Sequence, residues 1–322
     1  MLQDVIFILI GLAGLFFGGE WLVQGASRLA RSYGISALVV GLTVVAFGTS
    51  VPELVVSLNA VLTNSSDISV GNVVGSNISN IGLILGLTAF IFPVMVHATL
   101  IRREAPFMIA ATVVTLALFS DGKLGRFDGI VLLLGFVVFN YLMFTFTMAD
   151  RKSGALAAEE AEIESGEEPI ITPEQRRAEV IRLLLGLVVL VVGARLTVDG
   201  AVNIARSAGI SELAIGVTLV AVGTSLPELA TSLVAALRKQ NDIALGNVIG
   251  SNIFNLLLIL GVTSTVHPLP VDPRVLGFDG PVMALFAVGL APLVMTAGRI
   301  SRGEAAALLV GYAAFTVLAF VL

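Results

Sequence analysis

Long apolar stretches separated by short polar ones run along almost the whole chain. A membrane helix needs about 20 predominantly apolar residues. On that rule the pattern predicts ten spans, near 3–25, 36–61, 69–92, 104–119, 128–148, 180–203, 211–237, 243–266, 278–297 and 303–322. The first apolar run starts almost at Met1, without a basic n-region or a small-residue cleavage site. It is also too long for a signal h-region, so it reads as a retained first helix. One long polar segment interrupts the series, from Asp150 to Glu179, carrying Glu159, Glu160, Glu162, Glu164, Glu167 and Glu168 with Gly and Pro interspersed. That composition suits a solvated linker, and it has no EF-hand spacing. The expected organisation is a first set of five spans (1–149), a linker (150–179) and a second set of five (180–322).

Composition sharpens this picture. Of the 322 residues 57% are hydrophobic and 13% charged, against roughly 25% charged in a soluble domain. The shortfall marks a polytopic membrane protein that has the lipid bilayer as its surroundings. No cysteine is present, which excludes disulfides, thiolate metal sites and Cys nucleophiles. His97 and His267 are too few for an imidazole metal cluster. A net charge of −5 argues against a nucleic-acid partner. Neither H-E-x-x-H nor G-x-S-x-G occurs, so enzyme chemistry and a resident cofactor are not expected. No obligate protein partner is evident. Of the 18 Lys and Arg, only Lys123, Arg126, Arg195, Arg206 and Arg274 fall on the face opposite the linker. The positive-inside rule then places the linker in the cytoplasm and both termini outside, as a multi-pass protein of a bacterial or archaeal plasma membrane.

The chain also repeats itself. Residues 41–88 (GLTVVAFGTSVPELVVSLNAVLTNSSDISVGNVVGSNISNIGLILGLT) align without a gap to 216–263, at a constant offset of 175, with 29 of 48 positions identical. Upstream, ARSYGIS (30–36) mirrors ARSAGIS (205–211). Each half holds five expected spans. Five is odd, so the second copy must enter the membrane in the opposite sense. Inverted repeats of this kind characterise secondary transporters, whose sites lie near the midplane between the repeats. The predicted fold is therefore all-α, with ten transmembrane helices in two inverted five-helix repeats.

Two matched breaks carry the candidate chemistry: Gly48-Thr49-Ser50-Val51-Pro52-Glu53 and Gly223-Thr224-Ser225-Leu226-Pro227-Glu228. Proline lacks an N–H and crowds the carbonyl four residues back, so carbonyls around Ala46–Thr49 and Ala221–Thr224 should be freed. In hydrocarbon such carbonyls need a cavity or a partner, and a cation is one. Thr49 and Ser50 stand four and three residues before Glu53, on one helix face, and Thr224, Ser225 and Glu228 repeat the arrangement. The next span of each half carries Ser76 with Asn80, and Ser251 with Asn255, at i,i+4 spacing. Asn72 and Asn247 could equally pin the breaks without touching an ion. The Gly residues of GNVVG and GNVIG permit close helix approach. Every donor is oxygen, which suits calcium with its 6–8 oxygen ligands, whereas transition metals prefer nitrogen or sulfur. An intramembrane Glu is functional by default, since its burial costs at least about 2–3 kcal/mol. Glu20, Arg195 and Asp199 read as interfacial, His97 and His267 as surface residues, and FFGG (16–19) as a helix-packing surface.

The paired GTSVPE/GTSLPE and GNVVGSNISN/GNVIGSNIFN motifs resemble the two alpha repeats of the cation/calcium exchanger superfamily, specifically its sodium/calcium exchanger branch. The resemblance covers essentially the whole chain. It implies four ion sites in a diamond: Glu53 and Glu228 on a central calcium with the Thr49 and Thr224 carbonyls, and sodium sites using Ala46, Ser50, Ser76, Ala221, Ser225 and Ser251. Asn80 and Asn255 would form the remaining site. Several exchangers carry Asp at one of those two positions, and Asn at both leaves the pocket at −2. The proton/calcium branch usually has extra acidic residues after each break, which GNVVGSN lacks, so sodium is the expected coupling ion. Alternating access is expected, with spans 1 and 6 sliding across the others. A proton/calcium antiporter, and more remotely a cation channel, are the competing readings.

Overall fold

The computed structural model describes residues 2–63, 66–96, 100–153, 172–209, 221–295 and 298–321. It is nearly all helical. The first half comprises α1 (Leu2–Tyr33), α2 (Ala37–Thr49), α3 (Val51–Leu62), α4 (66–91), α5 (100–118) and α6 (Arg126–Ser153). In the second half are α7 (Pro173–Ser207), α8 (Ala221–Thr224), α9 (Leu226–Leu237), α10 (Asn241–Val266), α11 (275–295) and α12 (Arg302–Val321). Among the described residues eight helices are long and apolar enough to cross a membrane, and the bent pair α2–α3 makes a ninth. The expected span at 211–237 falls partly on 210–220, outside the described residues; its remainder is α8 and α9. The polar segment proves shorter than expected, because α7 begins at Pro173. Thr172 caps it, accepting from the Gln175 N–H while the Gln175 side chain accepts from the Thr172 N–H. This reciprocal pair supplies acceptors for two N–H groups that the helix itself cannot.

The two motif-bearing helices form the centre. In α10 94% of the apolar window is buried and in α4 72%, against 11–39% for the other long helices. Their inward faces, including Ile78, Ile81, Ile253 and Leu256, join one apolar cluster with α2, α5, α6, α11 and α12. Outside lie large exposed side chains such as Leu9, Phe17, Val137, Leu185 and Val317, a surface matched to lipid tails. Short antiparallel β pairs tie the halves at their edges: β1 (Val94–Met95) with β4 (Arg299–Ile300), and β2 (Lys123–Leu124) with β3 (Leu269–Pro270).

Two long helices, α1 and α7, stand beside this bundle and pack antiparallel along their whole length. Glycines at seven-residue intervals set the contact. A Cβ on Gly11 would lie 2.6 Å from Gly193 O, one on Gly18 2.6 Å from Leu190 N, and one on Gly25 3.1 Å from Glu179 O. From the other side, a Cβ on Gly186 would lie 2.8 Å from Gly18 O, one on Gly193 2.8 Å from Leu15 N, and one on Gly200 2.6 Å from Asp4 O. Each contact is the other's counterpart at the 175-residue offset. The FFGG segment is thus a packing surface, as expected from its small residues. Gly246 and Gly250 do the same for α10, where a Cβ would lie 2.7 Å from Leu38 O and 2.5 Å from Leu42 O of α2. Gly71 and Gly75 correspond to them in the first copy.

Glu20, read as interfacial, is 7% exposed and lies in the middle of α1. Arg238, at the end of α9, reaches both of its oxygens, Nη2 to Oε1 at 2.6 Å and Nε to Oε2 at 2.8 Å, and Gln24 also donates to it. Ser27 donates to Gln240 at 3.2 Å on the same seam. Glu179, likewise buried, accepts from Arg28 of α1 at 2.7 Å and from Arg182 at 2.9 Å. Arg195 and Asp199 form an exposed pair at 3.9 Å. His267 is exposed at the end of α10, and His97 lies outside the described residues.

Candidate functional site

The site grows from the two helix breaks. Ser50 alone leaves helical geometry (φ −83°, ψ 4°), ending α2 and starting α3, and the axis bends by 44°. Pro52 then sits in the first turn of α3, where a missing N–H costs nothing. Ser225 has nearly the same conformation (φ −88°, ψ 5°) before Pro227. The breaks are tighter than expected. Ser50 N–H still donates to Ala46 O at 3.0 Å, so that carbonyl is not freed, although its second lone pair remains. In the second copy Ser225 N–H goes three residues back, to Val222 O at 3.1 Å.

Both carboxylates therefore stand in the first turn of a helix, Glu53 in α3 and Glu228 in α9. The N-terminal dipole favours an anion there. Each is 1% exposed. They are held crosswise: Ser50 donates to Glu228 Oε1 at 3.3 Å, and Ser225 to Glu53 Oε1 at 3.4 Å. The break of one copy thus holds the carboxylate of the other. Thr49 donates to Asn247 Oδ1 at 3.0 Å and stands 3.5 Å from Ser251 Oγ, again across the copies.

All ten of Ala46, Thr49, Ser50, Glu53, Ser76, Asn80, Ser225, Glu228, Ser251 and Asn255 are buried. Thr224 is half-buried at the end of α8, and Ala221 opens that helix. Asn80 and Asn255 lie at the π-helical stretches Asn80–Leu85 and Phe254–Ile259. Such wide turns shift side-chain register and recur at functional sites. Asn80 Nδ2 donates to Asn252 Oδ1 at 3.1 Å. Behind them, Asn77 faces Met283 Sδ at 3.8 Å and Asn252 faces Met108 Sδ at 3.6 Å, each the other's counterpart.

Asn77 and Asn252 were not among the sequence candidates, although both repeat at the 175-residue offset within the GSN of the motif. Four acceptors of the expected ligand set have no hydrogen-bond donor among the described residues: Glu53 Oε2, Glu228 Oε2, Asn80 Oδ1 and Asn255 Oδ1. A buried acceptor without a donor costs about 1–3 kcal/mol, more when charged. Four of them from the matched motifs make an oxygen-lined centre suited to cations. Among the described residues no group of three or more His, Cys, Asp or Glu gathers elsewhere as a metal site.

Comparison with known proteins agrees with this geometry. The profile of the sodium/calcium exchanger protein family matches residues 4–145 and 179–321. The inner membrane protein YrbG of Escherichia coli is 38% identical over 89% of this chain and 87% of its own. The sodium/calcium exchanger MaX1 of Methanosarcina acetivorans is 34% identical over 98% of both. The solved structure of the sodium/calcium exchanger from Methanococcus jannaschii superposes with a TM-score of 0.83 at 34% identity, covering 98% of each chain. With the fold and the matched motifs in agreement along the full length, this chain is a multi-pass membrane protein and belongs to the sodium/calcium exchanger family.

Proposed function

We propose that the protein is a secondary antiporter that exchanges sodium for calcium by alternating access. The observation that carries this reading is the pair of buried carboxylates in the opposed helix breaks, each with one oxygen lacking a donor. Together they supply a charge of −2, which neutralises one divalent cation or two monovalent ones. Sodium and calcium compete for the same oxygens, so one ion must leave before the other crosses, and competition becomes exchange.

Glu53 and Glu228 take the central calcium with the Thr49 and Thr224 carbonyls. Ala46, Ser50, Ser76, Ala221, Ser225 and Ser251 serve sodium, and Asn80 and Asn255 complete the set. The helices form ten spans in two inverted five-helix repeats, with the 150–179 linker on the cytoplasmic side of the plasma membrane and the termini outside. The pair α1–α7 moves as one unit across the ion-holding bundle. Its continuous glycine seam supports this reading, because the two helices share their closest contacts with each other.

Calcium-45 uptake into proteoliposomes loaded with sodium, lithium or potassium, or carrying a pH gradient, tests the assignment. Uptake that needs internal sodium and vanishes in Glu53→Gln and in Glu228→Gln is expected. Equal uptake driven by the pH gradient, or survival of either variant, would overturn it and favour proton coupling or another substrate.

A further inference from the structure

Asn247 lies outside the proposed ligand set, yet it touches both halves of it. It is 0% exposed on α10. Its Nδ2 donates to the Glu228 carbonyl at 3.2 Å and to Ser232 Oγ at 3.0 Å, while its Oδ1 accepts from Thr49 Oγ1 at 3.0 Å. One amide thus ties the first turn of α9, which carries the second carboxylate, to the end of α2, which carries Thr49. The Thr49 hydroxyl also lies 3.3 Å from Ala46 O and 3.5 Å from Ser251 Oγ, both longer than its 3.0 Å to the Asn247 oxygen. Asn72, the counterpart on α4, repeats the donor half of this arrangement, reaching Glu53 O at 3.4 Å and Ser57 Oγ at 3.0 Å. It is half-buried rather than fully enclosed.

We infer that Asn247 is a positioning residue for the cation site: it sets the spacing between the Thr49 break and the Glu228 carboxylate without contacting the ion. The inference rests on the proposed cation-binding reading of the centre. The residue type follows from the chemistry. Only a carboxamide offers two N–H donors and an acceptor on one neutral planar group. Aspartate would lose the donors and add a charge, and leucine would lose both functions. Calcium is the ion most sensitive to such spacing, because it needs several protein oxygens at 2.3–2.6 Å simultaneously. Sodium, with half the charge, tolerates a slackened cage better. Asn247 therefore acts on the choice between the ions as well as on affinity.

The gentlest test is Thr49→Val, which keeps the backbone carbonyl and the shape but removes the hydroxyl that Asn247 accepts. Thr49→Ser keeps that hydroxyl and serves as the rescue. Sodium-dependent calcium-45 uptake in proteoliposomes, with sodium competition, gives the apparent KM for each ion. Thr49→Val is expected to raise the calcium KM about ten-fold, equivalent to about 1.4 kcal/mol, and the sodium value less. Thr49→Ser, which keeps the bond to Asn247, should recover most of that shift.

Asn247→Ala should raise the calcium KM at least as far, and adding Thr49→Val to it should cost little more, because the two side chains act through one bond. Asn72→Ala, at the half-buried counterpart, should shift the calcium KM less. A calcium KM within two-fold of the unaltered protein in Thr49→Val, or full additivity of the two substitutions, would overturn the inference. Should Asn247→Ala fail to fold, the Val/Ser comparison at Thr49 still decides. If the unaltered protein shows no sodium-dependent calcium uptake, the proposed function fails instead, a different result from an unshifted KM.

Discussion

Substituting Gly186 by Ala on α7 places a methyl group where the structure has no room. Its Cβ would stand 2.5 Å from Leu22 N, 2.8 Å from Gly18 O and 3.0 Å from the Trp21 carbonyl carbon. These are backbone atoms of α1, so no side-chain rotation relieves the contact. Carbon contacts are comfortable at about 3.5 Å, so the two axes must separate by about 1 Å at this point. Separation there also slackens the neighbouring contacts, since Gly193 and Gly11 lie two turns along the same seam. Forced overpacking costs about 1–3 kcal/mol, partly offset by the roughly 0.5–1 kcal/mol that Ala gains over Gly in a helix. A net loss of about 1–2 kcal/mol is expected, read as a thermal midpoint lowered by several degrees in detergent and as slower sodium-dependent calcium uptake. Gly289→Ala on α11, where a Cβ meets nothing within 4 Å, is the control and should be neutral or slightly stabilising. Equal thermal midpoints and equal uptake for the two variants would refute the packing argument.

Other consequences follow from the ion pairs and the charge of the site. Arg238→Gln leaves the Glu20 carboxylate buried without its guanidinium and should cost about 1–3 kcal/mol of stability, since Arg238 is half exposed, read as a lowered thermal midpoint. Adding Glu20→Gln should recover most of that loss, and no recovery would show that the pair does not act together. Asn255→Asp adds a third carboxylate to the centre and should shift sodium–calcium competition toward calcium; an unchanged competition ratio would place Asn255 outside the cage. If three sodium ions cross for each calcium, one net charge moves, and potassium–valinomycin potentials should change the driving force by about 2.3 kcal/mol per 100 mV. Uptake indifferent to the imposed potential would indicate an electroneutral ratio.

Much of this protein is legible along the chain because membrane burial and proline act locally. Apolar runs of membrane length announce helices wherever they occur, since no water is present to satisfy a broken backbone. The helix break at Ser50 follows from Pro52, whose effect reaches only four residues back. The 175-residue repeat pairs Glu53 with Glu228 before any coordinates are known. Other features depend on segments remote in sequence. That Ser50 holds Glu228 rather than Glu53, only three residues away, reflects how α2 and α9 cross. Glu20 finds its partner, Arg238, 218 residues further on, beyond the reach of any local pattern. Asn252 gained its place from Asn80, 172 residues earlier. The π-helical turns at Asn80 and Phe254 have no composition of their own, being set by how α4 and α10 pack through the centre. Local backbone chemistry is written residue by residue, whereas the pairing of buried polar groups is settled only when distant helices meet and each must find a partner away from water.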